Sequence, residues 1–259
     1  MIVVKDLVKS FDGTRVLDGI NAEFRDGAVN MIIGQSGSGK TVLMKSLIGL
    51  HGIDSGRIEY DGRNIPDMSR KELLLLRREM GMLFQGSALF DSQTVIENVM
   101  YPLEMFARDM SADEKLSRAR FCLRRVDIAE RAYDLMPSEI SGGMQKRVAI
   151  ARAISMNPKY LFCDEPNSGL DPKTSLVIDQ LIHEITAEYN ICTIINSHDM
   201  NSIMEIGDNI IFLLRGHLEW QGSRKEIFSA ESKGLQDFVF ASELFKRVKE
   251  SSINKQDKI

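Results

Sequence analysis

The chain contains 259 residues, of which 43% are hydrophobic and 27% are charged, and its formal net charge is −4. This composition is typical of soluble globular proteins, and the length suits one large α/β domain or a domain with a subdomain. The acidic balance argues against a nucleic-acid-binding protein that relies on a broad basic field. No apolar run approaches the roughly 18 residues that span a bilayer. We therefore expect a cytosolic protein, with any membrane role supplied by a partner.

Short β patterns fill residues 1–33, and turn signals at Asp12-Gly13 and Asp26-Gly27 interrupt them. Glycine and aspartate favour such turns because they tolerate positive φ angles. The apolar run at 29–33 predicts a buried strand, and the apolar spacing over 38–50 predicts a helix.

Between this strand and this helix lies the most informative segment, Gly34-Gln35-Ser36-Gly37-Ser38-Gly39-Lys40-Thr41. A GxxxxGK[ST] pattern in this context predicts a phosphate-binding loop. Its glycines let backbone N–H groups approach phosphate oxygens, and the helix N-terminus adds partial positive charge. We expect Lys40 to reach the β- and γ-phosphates and Thr41 to bind Mg²⁺. The alternative, a structural turn before a core helix, requires neither side chain.

The middle of the chain is predicted to be mostly helical. Ser69 is a candidate N-cap, with Glu72 as its capping-box partner, for a helix that runs through Met80. A short strand at 82–84 ends at Gln85. Helices are then predicted over residues 95–106, 112–126 and 142–155, and this block interrupts an otherwise alternating β/α chain.

An apolar strand at 160–163 ends in two carboxylates, Asp164 and Glu165. An acid at the carboxyl end of a parallel strand lies where Mg²⁺ binds beside a phosphate loop. A second acid there can polarise an attacking water. The alternative is two solvated turn residues before Pro166. A helix at 173–188, a strand at 191–195 and a hairpin turning at Arg215-Gly216 follow.

The run Ile140-Ser141-Gly142-Gly143-Met144 precedes the last helix of the helical block. With this run, the chain resembles the ATP-binding subunits of ABC transporters, whose signature is LSGGQ. The resemblance covers about residues 1–230. It implies an α/β P-loop NTPase fold of the ABC ATPase type, with an N-terminal antiparallel β subdomain and an inserted α-helical subdomain. The implied divisions are a nucleotide-binding core at 1–93 and 156–230, the helical signature subdomain at 94–155, and a C-terminal helical tail at 231–259.

The resemblance implies ATP and Mg²⁺ as cofactors, with residues 34–41 as the Walker A loop. Phe11 matches the aromatic that stacks on adenine, although an ordinary strand aromatic is the alternative. Thr14 and Val16 are expected to contribute to the same ATP-binding surface.

Further positions match the loops of the family. Gln85 matches the Q-loop glutamine, Asp164 the Walker B acid and Glu165 the general base. The D-loop residues are Ser168 and Asp171, and the switch histidine is His198. The Mg²⁺ ligands implied are Thr41, Gln85 and Asp164, and the catalytic residues implied are Lys40, Gln85, Glu165 and His198.

The signature departs from the family pattern at Met144, where glutamine is usual. Ser141, Gly142 and Gly143 can still direct N–H groups and a hydroxyl at phosphate. In the family, this signature completes the ATP site of the other subunit. The resemblance therefore implies that a second copy of the chain binds head to tail during turnover.

Residues 82–92, 94–103 and 135–144, including Met144, are similar to the Mla-type (MlaF-like) ATPases. That similarity implies a membrane permease (MlaE-like), an MCE-domain substrate-binding protein, phospholipid as the transported substrate and no nucleic acid. It also implies a peripheral position on the cytoplasmic side of the bacterial inner membrane. An ATPase for a polar-solute importer, such as one for amino acids, is the alternative. DNA-repair or translation ABC proteins fit less well, because they usually carry paired ATPase domains, coiled-coil arms or zinc cysteines.

Overall fold

A computed structural model describes residues 1–240 of the chain. Its strands and helices, in chain order, are β1 (Ile2–Phe11), β2 (Thr14–Phe24), β3 (Val29–Ile33), α1 (Lys40–Leu47), β4 (Ser55–Tyr60), β5 (Arg63–Asn64), α2 (Arg70–Arg78), β6 (Met80–Leu83), α3 (Val95–Phe106), α4 (Ala112–Arg125), α5 (Gly142–Ile154), β7 (Tyr160–Asp164), α6 (Pro172–Glu188), β8 (Cys192–Asn196), α7 (Met200–Ile206), β9 (Asn209–Leu214), β10 (His217–Gly222) and α8 (Lys233–Val239).

The strands form two sheets, which confirms the predicted combination of an antiparallel β layer with an α/β core. The first sheet is antiparallel, in the order β2-β1-β4-β5. The second has the order β10-β9-β3-β8-β7-β6, and among the strands of residues 1–240 only β10 runs antiparallel to its neighbour in this sheet. Every residue of β3 and β8 is buried, as expected for central parallel strands that are covered on both faces.

The strand register brings the carboxyl ends of three strands together. Asn196 at the end of β8 pairs with Asp164 of β7 on one side and with Ile32 of β3 on the other. Since parallel strands point the same way, the loops that follow them leave from one edge of the sheet. This edge therefore carries the glycine-rich loop, the two carboxylates and His198.

Two apolar cores hold these layers. One lies between the antiparallel sheet, α1 and one face of the parallel sheet, and it includes the side chains of Phe24, Tyr60 and Phe162. Tyr60 donates its hydroxyl proton to the carbonyl of Leu47 at 2.8 Å, so that the one polar atom of this buried ring is paired. The second core joins the other face of the parallel sheet to α3–α6.

Most of the predicted elements are confirmed, with changes at their ends. The capping box of Ser69 and Glu72 is present, but α2 ends at Arg78 and Met80 begins β6 instead. The helix predicted over 38–50 is shorter, because Gly39 at φ 103° precedes α1 and Gly49 at φ 69° follows it. Helix α6 begins one residue before the prediction, at Pro172, whose fixed φ suits a first helical position. Both α4 and α5 end one residue earlier than predicted, and β8 begins and ends one residue later.

The C-terminal tail is described only in part. Helix α8, within the predicted helical tail, buries Leu235 and Val239 against the second core. The rest of the predicted tail, residues 241–259, lies outside the described residues. Among residues 1–240, no helix is long and apolar enough to cross a membrane.

The amide of Asn98 fixes the start of the helical block. This side chain is fully buried on α3. Its Oδ1 accepts a hydrogen bond from the backbone N–H of Phe90 at 2.8 Å, and its Nδ2 lies 3.0–3.1 Å from the carbonyl oxygens of Phe90, Gln93 and Thr94. The segment after the Q-loop is thereby tied to α3.

We expect Asn98→Ala to lower the free energy of unfolding by about 2–3 kcal/mol, because it leaves buried backbone groups without partners. Urea unfolding measures this change. Glu104→Ala, at an exposed position of the same helix, is the control. Equal stability of the two variants would contradict this role of Asn98.

Candidate nucleotide site

A cleft of about 600 Å³ opens at the carboxyl edge of the parallel sheet. The residues that line it come from β2, the glycine-rich loop, the N-terminus of α1, and the carboxyl ends of β6, β7 and β8 with the loops after them: Val16, Ser36, Gly37, Gly39, Lys40, Thr41, Val42, Gln85, Asp164, Glu165, Asn196 and His198. All the predicted catalytic residues and Mg²⁺ ligands are therefore in one place.

Glycine is required at two positions of the loop. Gly34 has a φ of 149°, and a Cβ there would lie 2.3 Å from the carbonyl oxygen of Leu213. Gly39 has a φ of 103°, and its Cβ would lie 2.7 Å from the Leu17 side chain. A side chain at either position would therefore displace the loop from β9 or β2.

The loop and helix α1 fit a phosphate group. The Nζ of Lys40 donates to the carbonyl oxygens of Gly34 at 2.8 Å and Gln35 at 3.0 Å, which holds its positive charge over the loop. Helix α1 has neither a side-chain cap nor an acidic residue in its first turn. Its first N–H groups can therefore receive an anion. Within residues 1–240, the buried hydroxyl of Ser38 has no hydrogen-bond partner.

Burial lowers the pKa of Lys40, while the charges of Glu165 and Asp164 oppose this effect. The half-buried ammonium group has lost part of its hydration, which the nearby carboxylates only partly offset. The oxygen atoms of a polyanionic ligand can therefore take the place of the lost water. Thr41, Gln85 and Asp164 supply oxygen atoms in the same cleft, and such oxygen atoms are the ligands that Mg²⁺ prefers.

The two carboxylates have different partners. Asp164 accepts a hydrogen bond from the amide of Asn196 at 3.1 Å. The Oε1 of Glu165 lies 2.8 Å from Nδ1 of His198. Glu165 also has a φ of 48°, an unusual conformation for a residue with a side chain. The chain therefore accepts backbone strain at the residue that meets the histidine.

Gln85 connects the cleft to the helical block. Its Nε2 donates to the hydroxyl of Ser168 at 3.2 Å. The backbone carbonyl oxygen of Gln85 accepts a hydrogen bond from Nζ of Lys146, a buried residue of α5. Burial also lowers the pKa of Lys146. A displacement of Gln85 would therefore be transmitted through Lys146 to α5, the helix that follows Ser141.

The signature residues surround a different cavity. Ser141 caps α5 and accepts a hydrogen bond from the N–H of Met144 at 3.3 Å. A cavity of about 410 Å³ is lined by Ser141, Gly142, Gly143, Met144, Arg147, Gly169, Leu170, Asp171 and Thr174. Within residues 1–240, the linings of this cavity and of the nucleotide cleft share no residue. The predicted signature and the predicted Walker A loop therefore do not face one another in one chain.

Five predicted ATP-binding residues are not part of the cleft lining: Gly34, Gln35 and Ser38 within the glycine-rich loop, and Phe11 and Thr14 at the β1–β2 turn. Phe11 is 38% exposed, and its ring packs edge-on against His51 with the centroids 5.2 Å apart. Thr14 pairs with Phe11 at the turn between β1 and β2. Val16 does line the cleft. Adenine stacking on Phe11 stays a prediction.

Sequence reasoning missed Asn196. Its amide contacts the Walker B position, and its oxygen is buried without a partner among the described residues. The signal was a polar residue that ends the apolar strand directly before Ser197 and His198. Such a residue lies at the ligand-carrying edge of the sheet.

Comparison with known proteins decides the family. Residues 17–168 match the family model described as ABC transporter. The chain belongs to this family. It is an ABC ATPase. Members of the family bind ATP with Mg²⁺ and hydrolyse it, dimerise, and pair with a membrane permease.

The chain is similar to curated ABC ATPases along most of its length. It is 38% identical to the methionine import ATP-binding protein MetN of Clostridium tetani, over 94% of this chain and 76% of that protein. It is 35% identical to the probable ribonucleotide transport ATP-binding protein mkl of Mycobacterium leprae, over 92% of this chain and 68% of that protein.

Solved structures agree with this assignment. CbiO1 of Clostridium perfringens, part of the ABC transporter complex CbiONQ, is 33% identical with a TM-score of 0.82, and the match covers 97% of this chain and 98% of that one. A dimeric ATP-binding cassette in a post-hydrolysis state, bound to ADP and Pi, is 32% identical with a TM-score of 0.77, and the match covers 86% of this chain and 99% of that one.

We expect Lys40→Ala to weaken ATP binding at least about tenfold, because the charge-assisted hydrogen bonds to the phosphates are lost. Equilibrium binding of a fluorescent ATP analogue measures this loss. Lys45→Ala, on the same helix and outside the cleft lining, is the control. Wild-type affinity together with wild-type turnover in the Lys40 variant would contradict the assignment.

Proposed function

We propose that this ABC ATPase energises phospholipid transport between bacterial membranes. In this proposal, it acts from the cytoplasmic side of the inner membrane, through a separate permease (MlaE-like) that works with an MCE-domain protein. The observation that carries the proposal is the Mla-like sequence of residues 82–92 and 94–103, because these segments line the exposed groove beside the Q-loop.

The groove has a volume of about 440 Å³ and lies between β6, α2, α3 and α5. Three aromatic side chains of its lining are partly exposed, namely Phe84, Phe90 and Phe106. Arg152 supports it from below by donating to the carbonyls of Ala88 at 2.7 Å and Ser87 at 2.8 Å. An apolar groove with fixed walls suits an amphipathic helix. We assign it to a cytoplasmic helix of the permease.

We also propose roles for the residues of the cleft. Bound ATP supplies the γ-phosphoryl group whose transfer to water releases the free energy of the cycle. Lys40 and the loop N–H groups bind and orient the phosphates. Glu165 takes the proton from the attacking water, and His198 orients the carboxylate through Nδ1.

In the proposed assembly, each chain contributes half of every ATP site. Helix α5 has Ser141 at its cap and no acidic residue in its first turn. Its N-terminus is therefore able to bind phosphate. Because it borders a cavity other than the cleft of its own chain, we propose that it closes the cleft of a second copy.

A polar-solute importer is the second candidate. The similarity to MetN proteins, which are named for methionine import, favours this alternative. The substrate is chosen by the permease, and the ATPase site is common to both functions. The two candidates therefore differ in the substrate that the purified complex carries.

We expect Glu165→Gln to bind ATP with wild-type affinity, to lower kcat about 100-fold or more, and to accumulate as a dimer. The amide keeps the shape of the side chain but cannot accept the proton. Phosphate release and size-exclusion chromatography with ATP measure the two effects. Turnover at the wild-type rate would show that another group is the base.

The tagged full chain, purified from membranes of its host in mild detergent, is expected to carry a permease and bound phospholipid. In liposomes, the same complex is expected to move labelled phospholipid when ATP is present. ATP-dependent methionine uptake without lipid movement would instead establish the second candidate.

Phe106→Asp is expected to remove both the permease and the lipid, because it places a charge in the groove. Phe121→Asp is the matched control, since Phe121 is an equally exposed aromatic on α4 outside the groove.

A further inference from the structure

A polar network joins the loop after β7 to α6 and α7, and none of its residues lines the nucleotide cleft. The Nδ2 of Asn167 donates to Oδ1 of Asp179 at 2.7 Å and to the hydroxyl of Ser202 at 3.0 Å. Asp179 belongs to α6 and Ser202 to α7. One amide group therefore joins the loop after β7 to two helices.

Asn167 lies inside the turn that carries the proposed base. The carbonyl of Glu165 accepts a hydrogen bond from the N–H of Ser168 at 3.1 Å, and this bond closes a turn over residues 165–168. Ser168 in turn accepts a hydrogen bond from the side chain of Gln85. A displacement of Asn167 would therefore move the base and the Gln85 contact together.

The network also reaches the segment of His198. The hydroxyl of Ser202 donates to Oδ2 of Asp199 at 3.4 Å, and Asp199 caps α7 directly after His198. The contact of 2.8 Å between His198 and Glu165 spans the same two segments on the cleft side. The loop after β7 and the loop after β8 are thus joined twice, once by the contact between Glu165 and His198 and once by the network of Asn167.

Stability alone gives a poor reason for this arrangement. The Asp179 side chain is only 2% exposed, and a buried carboxylate is costly. Burial raises the pKa of Asp179, as do the charges of Asp199 and Glu205, while hydrogen bonds from Ser202 and Asn167 oppose the rise. The amide oxygen of Asn167 is also buried without a partner within residues 1–240. An apolar side chain of similar size would fill the site at lower cost.

We propose that Asp179 is a positioning residue for ATP hydrolysis. It holds the amide of Asn167, so that the turn over residues 165–168 keeps Glu165 against His198. The nitrogen of this amide must face Asp179, because a carboxylate only accepts hydrogen bonds. This orientation of Asn167 then fixes the turn in one position. The inference rests on the proposed role of Glu165 as the base.

The test is steady-state ATP hydrolysis by the full chain. Asp179→Leu is expected to lower kcat about tenfold while the KM for ATP changes less than about twofold, because the phosphate-binding residues keep their places. Asp179→Asn is expected to recover kcat to within about threefold of wild type, since its amide oxygen can accept from Asn167. Ser175→Ala is the matched control, because Ser175 is also a buried polar residue and lies one turn earlier on α6.

Asn167→Ala, in the half-buried turn, is expected to lower kcat in the same way while KM for ATP stays nearly unchanged. It provides the test if Asp179→Leu does not fold. Because both residues act through one hydrogen bond, the double variant is expected to have a kcat no lower than the slower single variant. Multiplicative losses in kcat would overturn the proposal, as would an Asp179→Asn variant as slow as Asp179→Leu. A KM that rises as kcat falls would also overturn it. Glu165→Gln in the same assay shows independently whether the underlying base assignment fails.

Discussion

The parallel pairing of β8 with both β3 and β7 is the constraint on which the rest of the structure depends. It places Ile32, Asn196 and Asp164 side by side, so that the three following loops leave from one edge of the sheet. Each loop brings one part of the chemistry, namely the phosphate-binding backbone with Lys40, the carboxylates, and His198. The antiparallel sheet and the helical block cover the two faces and keep these strands free of water.

In the assembly that we propose, this edge provides only part of an ATP site. The signature residues border a separate cavity next to the D-loop. Gln85 lies between the two regions, with its side chain on Ser168 and its carbonyl on Lys146 of α5. If the cleft closes against a second chain and displaces Gln85, these contacts would transmit the displacement to α5, which borders the groove where we place the permease helix.

The local features of the fold were predictable from the sequence, because each depends on neighbouring residues. The turn at Asp12-Gly13, the capping box of Ser69 and the extent of α3 all follow from short patterns. The network of Asn167 was not predictable, since its partners lie 12 and 35 residues away and only the packing of α6 and α7 unites them. The contact between Phe11 and His51 was also not predictable, because it depends on how β1 packs against the segment after α1.

In the dimer that we propose, the signature helix of one protomer closes the cleft of its partner. Disulfide cross-linking between Ser36→Cys, in the cleft, and Ser141→Cys, at the signature, tests it most directly, because the three native cysteines are buried. With Glu165→Gln and ATP present, mixed single variants are expected to form a covalent dimer, and the doubly substituted chain a dimer as well. A doubly substituted chain that cross-links only within itself, with no covalent dimer from the mixture, would rule out closure of the cleft by the partner's signature helix.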